Sequence, residues 1–481
     1  MKLNRRTMLT SVAAAISQSL SIRAQRKTNV VFFLTDDHGA WSLGSYGCSE
    51  FHTPNIDRLA ADGALFSRAY ACTPVCSPSR MTYMTGKMPS GHGVHDAMLA
   101  EDCWGPKRRR FLDGHATWSD LLAKAGYALG MCGKWHMGDD DHAHAGFSYW
   151  CTKAQGGSVY KDPILVKNGA RVNVNGFLTD ACTDAGLEFI NANQKRPFFL
   201  YMPFHAPHTP YGYQPDRDRK WYRDTKFPCF PEGARNPQRR RNFEPHHGSR
   251  ESKTAYSALV SGVDHNVGRI VRRLEELGLR DDTLIIFSAD QGWNAGHHGV
   301  WGKGNATIPF NMYEESIRVP LIWNHRSKIP SGSTIEAMVS TYDFFPTILD
   351  YLGVPAPAPH RQRVGRSYAA FLRGEDLTWR NELYFEYCYT RAVQTENLKY
   401  IERAEEWPNE LFDLEADPAE YTNVIGAPPN RERLTALRAR LREFFQASGA
   451  PPIERWHDSV RNLLTLDTGY YDRWLEFRKK E

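Results

Sequence analysis

Cys76 heads the segment Cys76-Ser77-Pro78-Ser79-Arg80, which closes on Thr85-Gly86 and so joins a sulfur nucleophile to a helix start and a fixed cation. Ser77 suits an N-cap, and Pro78 suits the first helical position, where its missing N–H costs nothing. The helix this predicts ends near Gly86 and holds Cys76 at its positive end. Such an end attracts anions, and Arg80, one turn on, reaches back toward the same oxygens. A second set of residues, Asp36, Asp37, Asp290 and Gln291, offers only oxygen ligands. Oxygen donors select a hard cation and argue against zinc or copper. Crowded together without a cation, three carboxylates would repel one another and rise in pKa. Taken singly, each feature has a plainer explanation: a buried structural cysteine beside a helix cap, or an Asp pair in a turn.

What makes the features one set is the elements that must carry them. Asn29 to Leu34 is a β-rich run ending at Asp36-Asp37, and Tyr127 to Cys132 ends at Lys134 and His136. Pro197 to Met202 ends at His205 and His208, and Thr283 to Ser288 ends at Asp290-Gln291. Each run discharges metal-type or acid/base residues at its C-terminal end, where open α/β sheets bind ligands. Helical patterns lie between them at Asn55 to Gly63, Trp118 to Gly126, Thr179 to Asn191 and Ser252 to Leu277. The last carries Val260, Val263, Val267 and Ile270 at helical spacing. The expectation is an α/β fold with a large, mostly parallel sheet flanked by helices.

A chain of 481 residues suits two unequal domains better than one. Residues 26–360 form the expected larger domain. Beyond a Pro-rich connector near residues 355–366, residues 361–481 form a smaller α+β subdomain. Its antiparallel strands are predicted at Glu382 to Tyr389, Arg391 to Thr395 and Leu398 to Ile401, with a helix at Arg431 to Gln446. The segment from Tyr211 to Gly248, rich in Pro, Arg and aromatics, exceeds normal loop length. It is expected to form part of a substrate-facing wall, with a disordered insertion as the alternative. Basic runs at Lys107–Arg110 and at Arg235 with Arg239–Arg241 would attract polyanions or simply form solvated faces. No nucleic-acid-binding motif organises them, so nucleic acid is not the expected partner. Nor does any later apolar stretch reach the length of a membrane span. Residues 1–25 read as an export signal, giving a periplasmic or extracellular protein. Nine cysteines show no CxxC pair and no zinc spacing, and sequence cannot pair them.

Together, Cys-x-Pro-Ser-Arg with the following Thr-Gly resembles the type I sulfatases of the alkaline-phosphatase-like superfamily, in which this cysteine is oxidised to formylglycine by a formylglycine-generating enzyme. The likeness runs from about Asn29 to Val424. It implies that residue 76 works as a hydrated aldehyde and that Asp36, Asp37, Asp290, Gln291 and residue 76 bind Ca2+ in preference to Mg2+. Gln291 departs from the pattern, since Asn or His is commoner there. Gly133-Lys134-Trp135-His136-Met137-Gly138 resembles the family segment whose Lys134 binds a sulfate oxygen and whose His136 contacts the non-attacking hydroxyl. Pro207-His208-Thr209-Pro210 makes His208 the implied acid for the leaving oxygen, with His205 behind it. Trp301-Gly302-Lys303 resembles the segment supplying a second sulfate-binding lysine. The stretch from Asp290 to Pro320 is similar to iduronate-type and polysaccharide-type sulfatases, which brings His298 and Arg318 in as residues expected at the sugar. Asn4-Arg5-Arg6-Thr7-Met8-Leu9 resembles a twin-arginine export signal.

The implied function is hydrolysis of sulfate esters of a sulfated carbohydrate. Alternatives are a phosphonate monoester or phosphodiester hydrolase of the same superfamily, or a non-catalytic carbohydrate-binding protein if Cys76 is never modified.

Overall fold

The computed structural model describes residues 27–154, 160–240, 245–326, 328–404 and 407–453. The expected export signal and Arg241 therefore lie outside the described residues. Five buried strands run parallel at the centre of a ten-stranded sheet: β1 (Asn29–Thr35), β2 (Ala128–Gly133), β3 (Phe147–Lys153), β4 (Phe198–Pro203) and β5 (Thr283–Ala289). Their order across the sheet is β5-β1-β4-β2-β3. The strands that flank these five on either side are antiparallel to them. Leu321–Asn324 runs against β5, and Ile164–Lys167 runs against β3. The sheet is thus mixed: Ser333–Ile335 also pairs parallel with Ala64–Phe66 at one edge, and of the central strands β1, β2, β4 and β5 carry the polar clusters.

β1 explains why its run is apolar throughout. Val31 and Phe33 point to one face, against Val263, Val267 and Ile270 of the helix α3 (Arg250–Glu276) and Phe189 of α2 (Leu178–Asn193). Val30, Phe32 and Leu34 point to the other, against Met81 and Met84 of α1 (Cys76–Thr85) and Phe344 and Ile348 of α4 (Thr341–Leu352). A strand covered on both faces has no reason to alternate in polarity. A separate four-stranded antiparallel sheet, Glu382–Tyr387, Thr390–Thr395, Leu398–Arg403 and Glu410–Asp413, carries the helix Arg431–Ala447. That helix buries Leu437, Leu441 and Phe445, four residues apart on one face.

In its described residues, the long segment after Tyr211 packs rather than loops free. Phe227 and Phe230 enter the main core, Cys229 is disulfide-bonded to Cys48, and Arg239 bridges to Thr307. The remaining cysteines, Cys76 among them, are free and buried.

One glycine is tied directly to the site. Gly133 closes β2 at φ +147°, and a Cβ there would stand 2.0 Å from the Pro203 carbonyl oxygen of β4. Since the next residue is Lys134, a Gly133→Ala protein is expected to lose about 2–4 kcal/mol. Chemical denaturation should show that loss; a midpoint equal to the parent's would mean the two strands separate there without cost.

Candidate active site

The strands deliver their cargo in register. Thr35 of β1 lies opposite Ala289 of β5, so Asp36 and Asp290 emerge side by side, and the Asp290 N–H continues the ladder to the Thr35 carbonyl at 2.9 Å. The Asp36 N–H reaches the Ala206 carbonyl, and the Lys134 N–H reaches the Pro203 carbonyl. Asp37 at φ +62° and His136 at φ +56° are left-handed, so the chain turns sharply just past two of the strands.

Helix α1 meets these ends with its N-terminus, but its cap differs from the expected one. Val75 is the N-cap, Cys76 the first helical residue, and Pro78 the third. Ser77 cannot cap because its hydroxyl accepts the Met98 N–H at 3.0 Å. Pro78 is tolerated because N–H groups throughout the first turn lack intrahelical partners. The other end is as expected, with Gly86 in the left-handed C-cap. The Ser79 hydroxyl donates to the Asp290 carbonyl and pins the helix to the end of β5. Ser79 stood inside the Cys76 segment, but its sequence carried no sign of this tie.

Arg80 is completely buried. Its Nε donates to Asp290 Oδ2 at 2.8 Å, its Nη2 lies 3.3 Å from Asp36 Oδ2, and its Nη1 donates to the Lys134 carbonyl at 2.6 Å. Lys134 Nζ pairs with Asp36 Oδ2, and Lys303 Nζ donates to Asp37 Oδ1 at 2.6 Å. His208 Nε2 stands 3.6 Å from Asp37 Oδ2. With its side chain 26% exposed against 6% for each lysine, His208 marks the side on which the site opens. His205 is buried against the His208 ring with both ring nitrogens unpartnered, a packing position behind it. His136 turns Nε2 toward the Met98 carbonyl at 3.1 Å and leaves Nδ1 buried without a partner.

Burial alone would raise Asp36, but the cations Lys134, Arg80 and Lys303 outweigh it and hold the carboxyl well below its usual range. Asp290 goes the other way: burial and the Asp36 charge push it up to about 7, despite Arg80. Burial lowers Lys303, yet Asp37, Cys76 and Asp36 more than reverse this and keep it protonated. Burial lifts the Cys76 thiol against the pull of Lys134 and Lys303. The histidines are kept neutral, His136 by burial, Lys134 and Arg80, and His208 by burial, to about 4, against the pull of Asp37 and Asp36.

Whether these residues suit a divalent ion can be judged from the chain itself. Asp37 Oδ2 and Gln291 Oε1 are buried without a hydrogen-bond partner. The Gln291 amide nitrogen donates to Asp36 Oδ1 at 3.1 Å and to Asp37 Oδ1 at 2.7 Å, and a half-turn of the amide exchanges that donor for a ligand oxygen. Three buried carboxylates here occupy two lysines and an arginine. A hard cation on the carboxylates would release the lysines to face an anion, so the donor set fits.

Two residues expected at the sugar, His298 and Arg318, lie outside the carboxylate cluster. The His298 ring stacks between Tyr313 and Tyr421 and bonds Glu315 at 3.2 Å, while Arg318 reaches the Ser67 carbonyl and Glu314. Among the described residues, neither makes a hydrogen bond, ion pair or ring contact with the Asp36–Asp290 cluster. Of the basic runs, Lys107, Arg108 and Arg110 pair with Glu101, Asp139 and Asp113 on an exposed face. Arg240 instead lies against the Lys303 segment, its N–H on the Ala306 carbonyl at 2.7 Å.

The chain matches the sulfatase family model over residues 28–354 and the model of the N-sulphoglucosamine sulphohydrolase C-terminal region over residues 296–447. It is 28% identical to an N-acetylglucosamine-6-O-sulfatase of Bacteroides thetaiotaomicron, across 92% of this chain and 91% of that one. It is 29% identical to the N-acetylgalactosamine-6-sulfatase of Canis lupus familiaris, across 75% and 69%. Among solved structures it is similar to BT4656, captured with its substrate D-glucosamine-2-N,6-O-disulfate, at TM-score 0.76 and 25% identity, covering 89% of this chain and 99% of that one. It shares its fold with the phosphonate monoester hydrolase of Agrobacterium radiobacter, at TM-score 0.68 and 20% identity, covering 88% and 96%.

Proposed function

The chain belongs to the sulfatase family, a family of sulfuric ester hydrolases, and from that premise we propose that it removes sulfate from a sulfated sugar, with residue 76 attacking and Asp36, Asp37, Asp290 and Gln291 seating Ca2+. The observation that carries this reading is the convergence of Arg80, Lys134 and Lys303 on the buried carboxylates beside the N-terminus of the Cys76 helix. The relatives named for amino-sugar sulfates support the sugar. The likeness to a phosphonate hydrolase speaks only for the fold.

Formylglycine at position 76, hydrated, supplies an oxygen nucleophile and a second hydroxyl through which sulfate can later be expelled, which a serine would not offer. Calcium, held by the four oxygen-donor residues, supplies positive charge for the sulfate oxygens and makes a neighbouring hydroxyl more acidic; magnesium is the less favoured ion. Arg80, fixed by its bonds to Asp290 and the Lys134 carbonyl, brings a preorganised positive charge to the site. Lys134 and Lys303, paired with Asp36 and Asp37, add two further cations. His208, at the open side, is the acid for the departing sugar oxygen, and an arriving anion favours its protonated form. His136 accepts the proton that allows sulfate to leave.

Maturation by a formylglycine-generating enzyme and export through residues 1–25 complete the reading, with the division near residue 360 separating the catalytic part from the smaller one. Among the described residues, no helix is long and apolar enough to cross a membrane.

Sulfate release from a panel of defined sulfated mono- and oligosaccharides tests the function, and turnover of at least one sugar ester above all aryl and phosphonate esters is expected. Turnover confined to phosphonates would refute it. Within that panel, His208→Ala should lower kcat on the sugar ester by about 10²–10⁴-fold. The loss on 4-nitrophenyl sulfate, whose leaving group needs no proton, should be much smaller; equal losses would remove His208 from the acid role.

A further inference from the structure

The loop between Gly93 and Ala100 passes over the head of the Cys76 helix and is pinned from three directions. The Met98 N–H donates to Ser77 Oγ, the Met98 carbonyl meets His136 Nε2, and the His95 carbonyl accepts the Cys388 thiol at 3.2 Å. Between these pins sits Asp96, half-buried. Its Oδ1 accepts the Tyr387 hydroxyl at 2.6 Å and the Ala97 N–H at 2.7 Å. Its Oδ2 makes no hydrogen bond with a described residue and is not sealed from solvent. Tyr387 in turn packs at a tilt against Phe310, with ring centroids 4.8 Å apart, and the neighbouring Asn311 bonds the Lys303 carbonyl. Arg240 and Lys303 are near enough to act on the carboxyl, pulling against the burial that raises it. Asp96 is therefore held at the rim of the anion site, one oxygen fixed and one free.

A carboxylate in that place is a burden for binding sulfate alone, because it adds a like charge. It repays that burden only if the substrate brings a donor to it. An aryl ring has none, whereas a sugar ring has hydroxyls next to the sulfated carbon. We propose that Asp96 is a specificity-determining residue, whose Oδ2 accepts a hydrogen bond from a hydroxyl of the sugar that bears the scissile sulfate. This rests on the sugar-sulfatase reading above.

The test pairs the matured enzyme and its Asp96→Ala and Tyr387→Phe variants with the sulfated monosaccharide turned over best and with each of its monodeoxy analogues. For the parent enzyme, one deoxy analogue should lose about 10- to 100-fold in kcat/KM, as expected for a hydrogen bond to a charged group. For Asp96→Ala, the complete sugar should fall by a similar factor, and that same analogue should fall no further. Tyr387→Phe, which keeps the carboxylate but removes an anchor, should shrink the penalty at that one hydroxyl; it serves in place of Asp96→Ala if thermal melting shows the latter unfolded. An unchanged pattern of deoxy penalties in the variants would overturn the assignment while leaving the sugar-sulfatase reading intact. A parent enzyme that cleaves 4-nitrophenyl sulfate but no sulfated sugar would overturn both.

Discussion

A Cys76→Ala protein is expected to fold, to bind calcium and to hydrolyse no sulfate ester. The thiol accepts and donates no hydrogen bond among the described residues, so its removal costs the fold only a small buried group, about 1 kcal/mol. For catalysis the change takes away the attacking atom while Arg80, Lys134 and Lys303 remain to bind the ester. The loss in kcat should therefore be about four orders of magnitude or more, with sulfate-ester binding retained. Calorimetric titration with a sulfated sugar would separate the two effects. Residual turnover within tenfold of the parent would mean that another group attacks sulfur.

Stripping the protein with a chelator should abolish activity, and calcium should restore it. Without an ion, Asp290 is pushed up to about 7 by burial and by Asp36. Its folded value thus lies above the unfolded one of about 4, so the stability it contributes is whole below that lower value and is lost as the pH rises through about 7. A bound cation removes this penalty. Calcium should then raise the melting temperature, more at pH 8 than at pH 6, with about 2.7 kcal/mol of stabilisation at a hundredfold excess over Kd. Asp290→Asn should lose both the calcium shift and about 10³-fold in kcat, because it leaves the three cations facing two carboxylates. Recovery by zinc and not by calcium or magnesium would contradict the all-oxygen site.

These residues were legible in sequence because their positions follow from local pattern. A strand buried on both faces is a continuous apolar run, and a polar cluster just beyond it can only be a strand end, as at Thr35 to Asp37 and Ala289 to Gln291. What the pattern hid depends on distant parts of the chain. Ser77 looked like a cap because local rules count only its own helix, whereas its hydroxyl is claimed by Met98. Asp96 follows no strand, and what marks it is Tyr387, 291 residues away. The Cys48–Cys229 pair spans 181 residues. The antiparallel strands outside the central five leave no mark in the sequence, because strands such as Ala64–Phe66 have only three residues, too short to show a period. The stack that holds His298 is likewise hidden, since one of its two flanking tyrosines is Tyr421, far along the chain.

The central claim is that residue 76 of the active protein is formylglycine. Trypsin should release the peptide Ala69 to Arg80, which contains both Cys76 and Cys72. Cys72 is an internal control, a buried cysteine outside the modification segment. In active protein, fragment masses should show Cys72 unchanged and residue 76 converted to an aldehyde, reactive toward a hydrazide, with the converted fraction tracking specific activity. Full activity in a preparation where residue 76 is entirely cysteine would contradict the account.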